Sequence, residues 1–392
     1  MPADPLRRVD ALLGVALRLA RTAPSGRIVL AHLARVIDPA WITSDELAAD
    51  LEASAARRRE PVAPRAVERA LRDAWGVKPT EELDDLELEP VAITPTSQVH
   101  RGIERGKPVA VKLLRPGIAA SVRQDLVVLD GLASPLGTAF PALDPGALIR
   151  EARERILDEL DLEHEAEVQR RFHRALRGHP FLTVPAPVTR LAHHTVLVSD
   201  WVDGVPITRA PDPDLAAARL VTFVIGSARF GVVHVDPDPD DVRILSDGRL
   251  AILDFGATRE VAAQRTERVH EALEAFADDD EHALGAALTE LGALPAAEAR
   301  TLIDVGRHAL GVLAGPGPAR LDTEEVVNLR ARLLERSHEL GRLVLAGAIA
   351  PEDLWPARAT AQLFAVIART GATGDWLALT RAALREGWNA GS

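Results

Sequence analysis

The stretch HVDPDPDDVRILSDGRLAILDFG, residues 234–256, decides the fold. It holds His234-Val235-Asp236-Pro237, then Asp241, and 18 residues after Asp236 it reaches Asp254-Phe255-Gly256. Asp247-Gly248 separates two short apolar runs and reads as a hairpin turn. Phosphoryl transfer needs one carboxylate beside the acceptor hydroxyl or water. It also needs a second oxygen ligand about five residues on and a third carboxylate on the following loop. Mg²⁺ takes oxygen ligands, so two acids and a set of phosphates can cradle it. Turn aspartates are common and an isolated Asp-Phe-Gly arises by chance, so the weight of the pattern depends on what lies upstream.

Upstream lies Val109-Ala110-Val111-Lys112, the second arm of a hairpin. The strands are expected near Gln98 to Ile103 and Pro108 to Leu113, around Glu104-Arg105-Gly106-Lys107. A strand lysine of this kind pairs nucleotide phosphates and is itself held by a helix glutamate. The bland alternative is a surface lysine on an edge strand. Composition argues against it, because Lys78, Lys107 and Lys112 are the only lysines among 46 cationic residues, and Lys112 interrupts an apolar strand. A long helix is expected from about Pro145 to Leu176, with Ile149, Ile156 and Leu160 on its core face. It carries Glu159, Asp161 and Glu165. Each could lie on a solvated acidic face; Glu165 is the favoured partner of Lys112.

The rest of the chain frames these motifs. Its 392 residues suffice for two or three domains. With 47% hydrophobic and 27% charged residues it reads as an ordinary globular protein. There is no cysteine, which excludes disulfides, thiolate zinc sites and a cysteine nucleophile. The net charge of −12 argues against nucleic acid or an anionic membrane as the main partner. The opening MPADPLRRVDALLGVALRLART is amphipathic and not expected to be a signal peptide. No stretch reaches 18 uninterrupted apolar residues, so no transmembrane segment is expected, and the location expected is cytoplasmic, peripheral to a membrane at most. Helices are expected around Leu12 to Leu17, over Asp45 to Ala56, and over Pro64 to Ala74. Pro64 sits at a first helical position. Further helices are expected near Ile118 to Leu132 and 213–230, with a Pro/Gly loop over Ser134 to Pro145. Strands are expected over Val184 to Leu191 and Thr195 to Val202. Everything after Ala257 reads as helical. The resulting fold class is α+β: a bilobal, protein-kinase-like fold with a small β-rich N-lobe and a helical C-lobe. The expected divisions are an N-terminal helical extension (1–80), the N-lobe (81–204) and the C-lobe with its catalytic and metal-binding loops (205–392).

Taken together, these motifs resemble the UbiB family (AarF, ADCK) of atypical kinases. VAVKLLRPGI, from Val109 to Ile118, is similar to the family's V-A-V-K-V-x-R-P-G-I. Glu159-Leu160-Asp161 with Glu165-Ala166 is similar to its E-x-D followed by E-A. VLVSDWVDG, from Val196 to Gly204, resembles its hinge strand, His234 to Asp241 its H-A-D-P-H-P-G-N loop, and Leu253 to Gly256 its L-D-F-G. The resemblance implies ATP with Mg²⁺ or Mn²⁺ as cofactors. It implies that Lys112 contacts phosphate, Glu165 pairs it, Asp236 is the catalytic-loop acid, Asp241 and Asp254 are metal ligands, and Ser199, Asp200, Trp201 and Val202 face adenine. The chain departs from the family at four places. LAHL stands at Leu30 to Leu33 where K-x-G-Q is expected. The Ala-rich nucleotide loop reads AITPTSQVH, from Ala92 to His100, with Pro95 and Ser97. Asp241 replaces Asn, and Asp238 and Asp240 replace His and Gly.

Two functions from different classes remain open at this point. One is an atypical kinase or ATPase acting on a small or lipid-derived molecule. The other is a pseudokinase serving as a nucleotide-binding or protein-interaction module. An aminoglycoside-type kinase is disfavoured by Pro237, where that group carries Leu. Ordinary protein-kinase activity is disfavoured because the chain runs from Gly256 straight into ATREVAAQRTERVHEALEAF, with no A-P-E platform for a peptide.

Overall fold

The computed structural model describes residues 60–390 apart from 95, 132, 140–143 and 348–349, and, before residue 60, only Ala11 and Gly14. The helices expected around Leu12 and over 45–56, the LAHL stretch and Pro95 therefore lie outside the described residues.

The first full helix, α1 (Pro64–Trp75), begins on its proline and ends at Gly76, whose φ of 72° places it in the left-handed region. Its Val67 and Leu71 are fully buried against Val109, Val111 and Leu113 of the N-lobe sheet. That sheet comprises β1 (Asp85–Leu86), β2 (Ala92–Ile93), β3 (Ser97–Glu104), β4 (Lys107–Leu114) and, after an excursion into helices, β6 (Val196–Asp200). All pairings are antiparallel, in the order β1-β3-β4-β6, with β2 also on β3. The β3–β4 hairpin turns at Arg105 and Gly106, both with positive φ, the geometry a two-residue type I′ turn requires. Alternation puts Val109, Val111 and Leu113 beneath the sheet and aims Ala110 and Lys112 from its other face.

The helix expected near 118–132 is a helix α2 (Ile118–Asp125) followed by a short turn of helix over Val127–Asp130, and the expected loop over 134–145 contains helix at Ala133–Ala139. The single long helix expected over 145–176 is two, α3 (Pro145–Asp158) and α4 (Leu162–Ala175). Asp161 makes the break. Its side chain accepts from the backbone N–H of Glu163 at 3.1 Å and of His164 at 3.2 Å, so it starts a new helix rather than continuing the old one. The expected strand at 184–191 does not form as such; β5 is Leu182–Thr183, and a 3₁₀ turn covers Thr189–Leu191. Pro185 and Pro187 have no N–H to give a ladder.

The C-lobe centres on α5 (Pro213–Phe230), whose residues from Ala216 to Ser227 are largely buried. It feeds β8 (Val232–His234), which pairs with β11 (Thr258–Glu260). A second sheet joins β5, β7 (Val205–Pro206), β9 (Val242–Ile244) and β10 (Leu250–Ile252) in the order β5-β10-β9-β7. The residues after Ala257 are therefore mostly but not wholly helical. A late helix, α6 (Pro351–Thr370), packs Ala359, Leu363, Val366 and Ile367 into the same core.

Candidate active site

The β4 lysine reaches a carboxylate pair on the opposite wall of the interlobe cleft. Lys112 Nζ donates to Glu165 Oε1 at 2.8 Å, to Glu165 Oε2 at 2.9 Å and to Asp254 Oδ2 at 3.0 Å. Glu165 stands on the first turn of α4, directly after the Asp161 cap, and its side chain is 2% exposed. Burial alone would lower the pKa of Lys112, but Asp254 and Glu165 outweigh it and hold the ammonium above its usual range. Burial pushes the Glu165 carboxyl up to about 7 against the pull of Lys112, and the neighbouring Asp254 charge adds to the rise.

Phe255 fixes the position of Asp254 from behind. Its ring is 1% exposed and lies 4.9 Å, centroid to centroid, from Phe172, two turns beyond Glu165 on α4. His234 Nε2 donates to the Asp254 carbonyl at 2.7 Å, and its ring meets Phe255 edge-on at 5.6 Å. Burial holds His234 below its ordinary pKa, so the ring is neutral near pH 7. The N–H of Gly256 donates to Asp254 Oδ1 at 2.8 Å. A Cβ at Gly256 would stand 3.2 Å from both Asp254 Oδ1 and Glu165 Oε2, so this glycine lets the loop pass close to the acids.

The cleft above this cluster has a volume of about 280 Å³, and Lys112, Glu165, Asp254, Asp241 and the segment Ser199 to Val202 all line it. At the hinge, Asp200 N donates to Ala186 O and Trp201 N to Pro108 O, so both amides are taken by the fold. Asp241 is held by its backbone, its N–H donating to Asp238 O and its carbonyl accepting from Leu253 N, both at 3.0 Å. The Asp238 side chain accepts from Asp240 N at 2.9 Å, capping the short turn, while Asp240 is exposed at the cleft wall. Asp236 stands apart from this set, buried in the loop beneath and paired with Arg358 at 2.9 Å.

The nucleotide-loop segment is closed on itself. Thr94 Oγ1 accepts from Ser97 N at 2.9 Å and from Thr96 N at 3.3 Å, while Thr94 N donates to Ser97 O at 2.9 Å. Among the described residues no group of three or more His, Asp or Glu side chains is clustered tightly enough to hold a metal alone. Asp241 and Asp254 offer hard oxygen donors, which suits Mg²⁺ or Mn²⁺ arriving with nucleotide phosphates as the remaining ligands.

Three residues that frame the site were missed as site residues. His234 lay in the quoted stretch, and its place before Asp236 was the available signal. Phe172 was legible only as an apolar helix position. Arg358 carried no signal in a chain so rich in arginine.

Comparison with known proteins bears on the family and the fold. A family model described as the ABC1 atypical kinase-like domain matches residues 56–288. An aarF domain-containing protein kinase of Arabidopsis thaliana chloroplasts is 29% identical over 249 residues, 61% of this chain and 36% of that protein. The atypical kinase COQ8B of Danio rerio mitochondria is 28% identical over 246 residues, 59% of this chain and 39% of that protein. A probable protein kinase UbiB of Cronobacter sakazakii is 28% identical over 268 residues, 62% of this chain and 47% of that protein. The matches thus span between a third and a half of these relatives' own lengths. A solved structure, that of Rv3197 of Mycobacterium tuberculosis in complex with erythromycin, superimposes with a TM-score of 0.64 at 24% identity, covering 81% of this chain and 82% of that one. No helix among the described residues is long and apolar enough to cross a membrane. With the family model covering more than half of the chain, and with a bilobal kinase-like fold, this protein belongs to the ABC1 atypical kinase-like family, that of UbiB and the aarF-domain kinases.

Proposed function

We propose that this chain is an ATP- and Mg²⁺-dependent phosphotransferase or ATPase acting on a small or lipid-derived molecule. The observation that carries the reading is the convergence of Lys112 on Glu165 and Asp254 at the floor of the cleft that the hinge and Asp241 also line. In this reading Lys112 binds phosphate, Asp241 and Asp254 hold the metal, the Ser199–Val202 segment faces adenine, and Asp236 orients the acceptor hydroxyl or water. The metal would neutralise charge on the phosphates. Only six residues separate Gly256 from the helix that begins at Ala263. That leaves little chain for a peptide-binding platform and favours a small acceptor. The self-closed Thr94 turn favours a second reading, a module that holds nucleotide without transferring phosphate, because its amides are engaged within the loop. A titration with ATP and Mg²⁺ or Mn²⁺, following thermal shift and phosphate release together, separates the two. Binding with release is expected; binding alone supports the second reading, and no binding refutes both.

A further inference from the structure

A guanidinium from the far end of the chain grips the catalytic-loop acid. Arg358 Nη2 donates to Asp236 Oδ1 at 2.9 Å, and Nη1 donates to the carbonyl of Val235 at 3.2 Å. The two side chains are 11% and 10% exposed, so the pair is largely out of water. The guanidinium also lies 5.5 Å from the ring centre of Trp355, one turn earlier on α6. Leu363 and Ile367 bury that helix in the C-lobe core, so the base of the arginine is fixed.

We propose that Arg358 is a positioning residue for phosphoryl transfer: it fixes the orientation of the Asp236 carboxylate in the catalytic loop. The proposal rests on the phosphotransfer reading above. Its physical basis is that a side-chain carboxylate has several rotamers open to it. A planar guanidinium held at two points selects one of them. One arm occupies Oδ1, and the other arm fixes the guanidinium against the backbone of the adjacent residue. The fork spans two acceptors that a lysine ammonium meets less well, so the site asks for arginine rather than for positive charge alone. Asp236 is thereby set by a helix 122 residues downstream.

The rival role is simpler: Arg358 holds the loop backbone through Val235 and does nothing through Asp236. ATP hydrolysis with Mg²⁺, read as phosphate release, distinguishes them. Arg358→Gln is expected to lower kcat by about a hundredfold, as misplacement of a reacting group does, with ATP affinity unchanged. Arg358→Lys is expected to lose only about tenfold, the equivalent of one charge-assisted hydrogen bond. In an Asp236→Asn background, Arg358→Gln is expected to cost no further rate, because the residue it acts through is already disabled. Wild-type kcat in Arg358→Gln, or losses that multiply in the double variant, overturn the inference while leaving the phosphotransfer reading intact. If Arg358→Gln does not fold, Arg358→Lys decides: a reduced kcat at unchanged KM supports the inference and an unchanged kcat overturns it. Wild-type protein that binds ATP and releases no phosphate overturns both.

Discussion

Replacing Lys112 by Met removes a single ammonium with three carboxylate contacts, and the structure fixes two separate consequences. The first is on stability. Glu165, 2% exposed, and Asp254 lose their shared cation. Removing one partner of a buried pair costs about 3–5 kcal/mol. The cost here falls toward the low end, because Glu165, already pushed up to about 7, can take a proton and sit neutral. The variant should therefore be less destabilised at pH 6 than at pH 8, and adding Glu165→Gln should restore part of the loss. The second consequence is on ligand binding. A charge-assisted contact to phosphate contributes about 1.5–3 kcal/mol, which is about a ten- to hundredfold change in affinity. Isothermal titration with ATP and Mg²⁺ on the folded variant, beside thermal melts at both pH values, measures the two separately. Full ATP affinity in a folded Lys112→Met protein would refute the assignment of this lysine to phosphate.

Other outcomes follow from single features. His234 has a lowered pKa when folded, so the folded state binds fewer protons and stability is lost as pH falls through 6.5; urea midpoints of His234→Gln against wild type should converge on acidification. ATP should bind far more weakly in excess chelator than in millimolar Mg²⁺, since like charges about 5 Å apart at an effective dielectric near 20 repel by about 3 kcal/mol. Asp241→Asn should narrow that gap, and equal affinity with and without metal counts against the cradle. Leu71→Ala, at a fully buried position beneath the N-lobe sheet, should cost about 2–5 kcal/mol by chemical denaturation. A cost below 1 kcal/mol would mean that α1 does not hold the sheet.

The parts legible in the sequence were those in which chemistry dictates residue type at short range. Lys112, Glu165 and Asp254 come from separate elements, yet each sits in a local string with its own reason to exist, and they meet within 3.0 Å. The break between α3 and α4 was not legible from apolar spacing, because Ile149, Ile156 and Leu160 keep helical periodicity into it. The capping role of Asp161 was hidden by reading it as one more acid on a helix face. Pro185 and Pro187, which stop a strand, were outweighed by the apolar run around them. The Arg358–Asp236 pair was out of reach for a different reason. It joins residues that only the packing of α6 brings together, and neither its spacing nor its residue type stands out.

Glu165 and Phe172 share one rigid rod. Seven residues at 1.5 Å each separate the carboxylate from the ring by about 10 Å along the helix axis. The ring is wedged among Phe223, Phe230, Phe255 and Trp388, with centroid distances of 4.9–5.9 Å. The carboxylate end is held by one lysine and the N–H of Phe255. The helix is thus a lever with its fulcrum in the aromatic cluster. A tilt of about 10° about Phe172 would carry Glu165 by about 1.8 Å over that arm, enough to part it from Lys112 while the fulcrum stays in place. Whether the Lys112–Glu165 pair stays closed is then a question of angle, and the aromatic cluster is the bearing on which that angle turns.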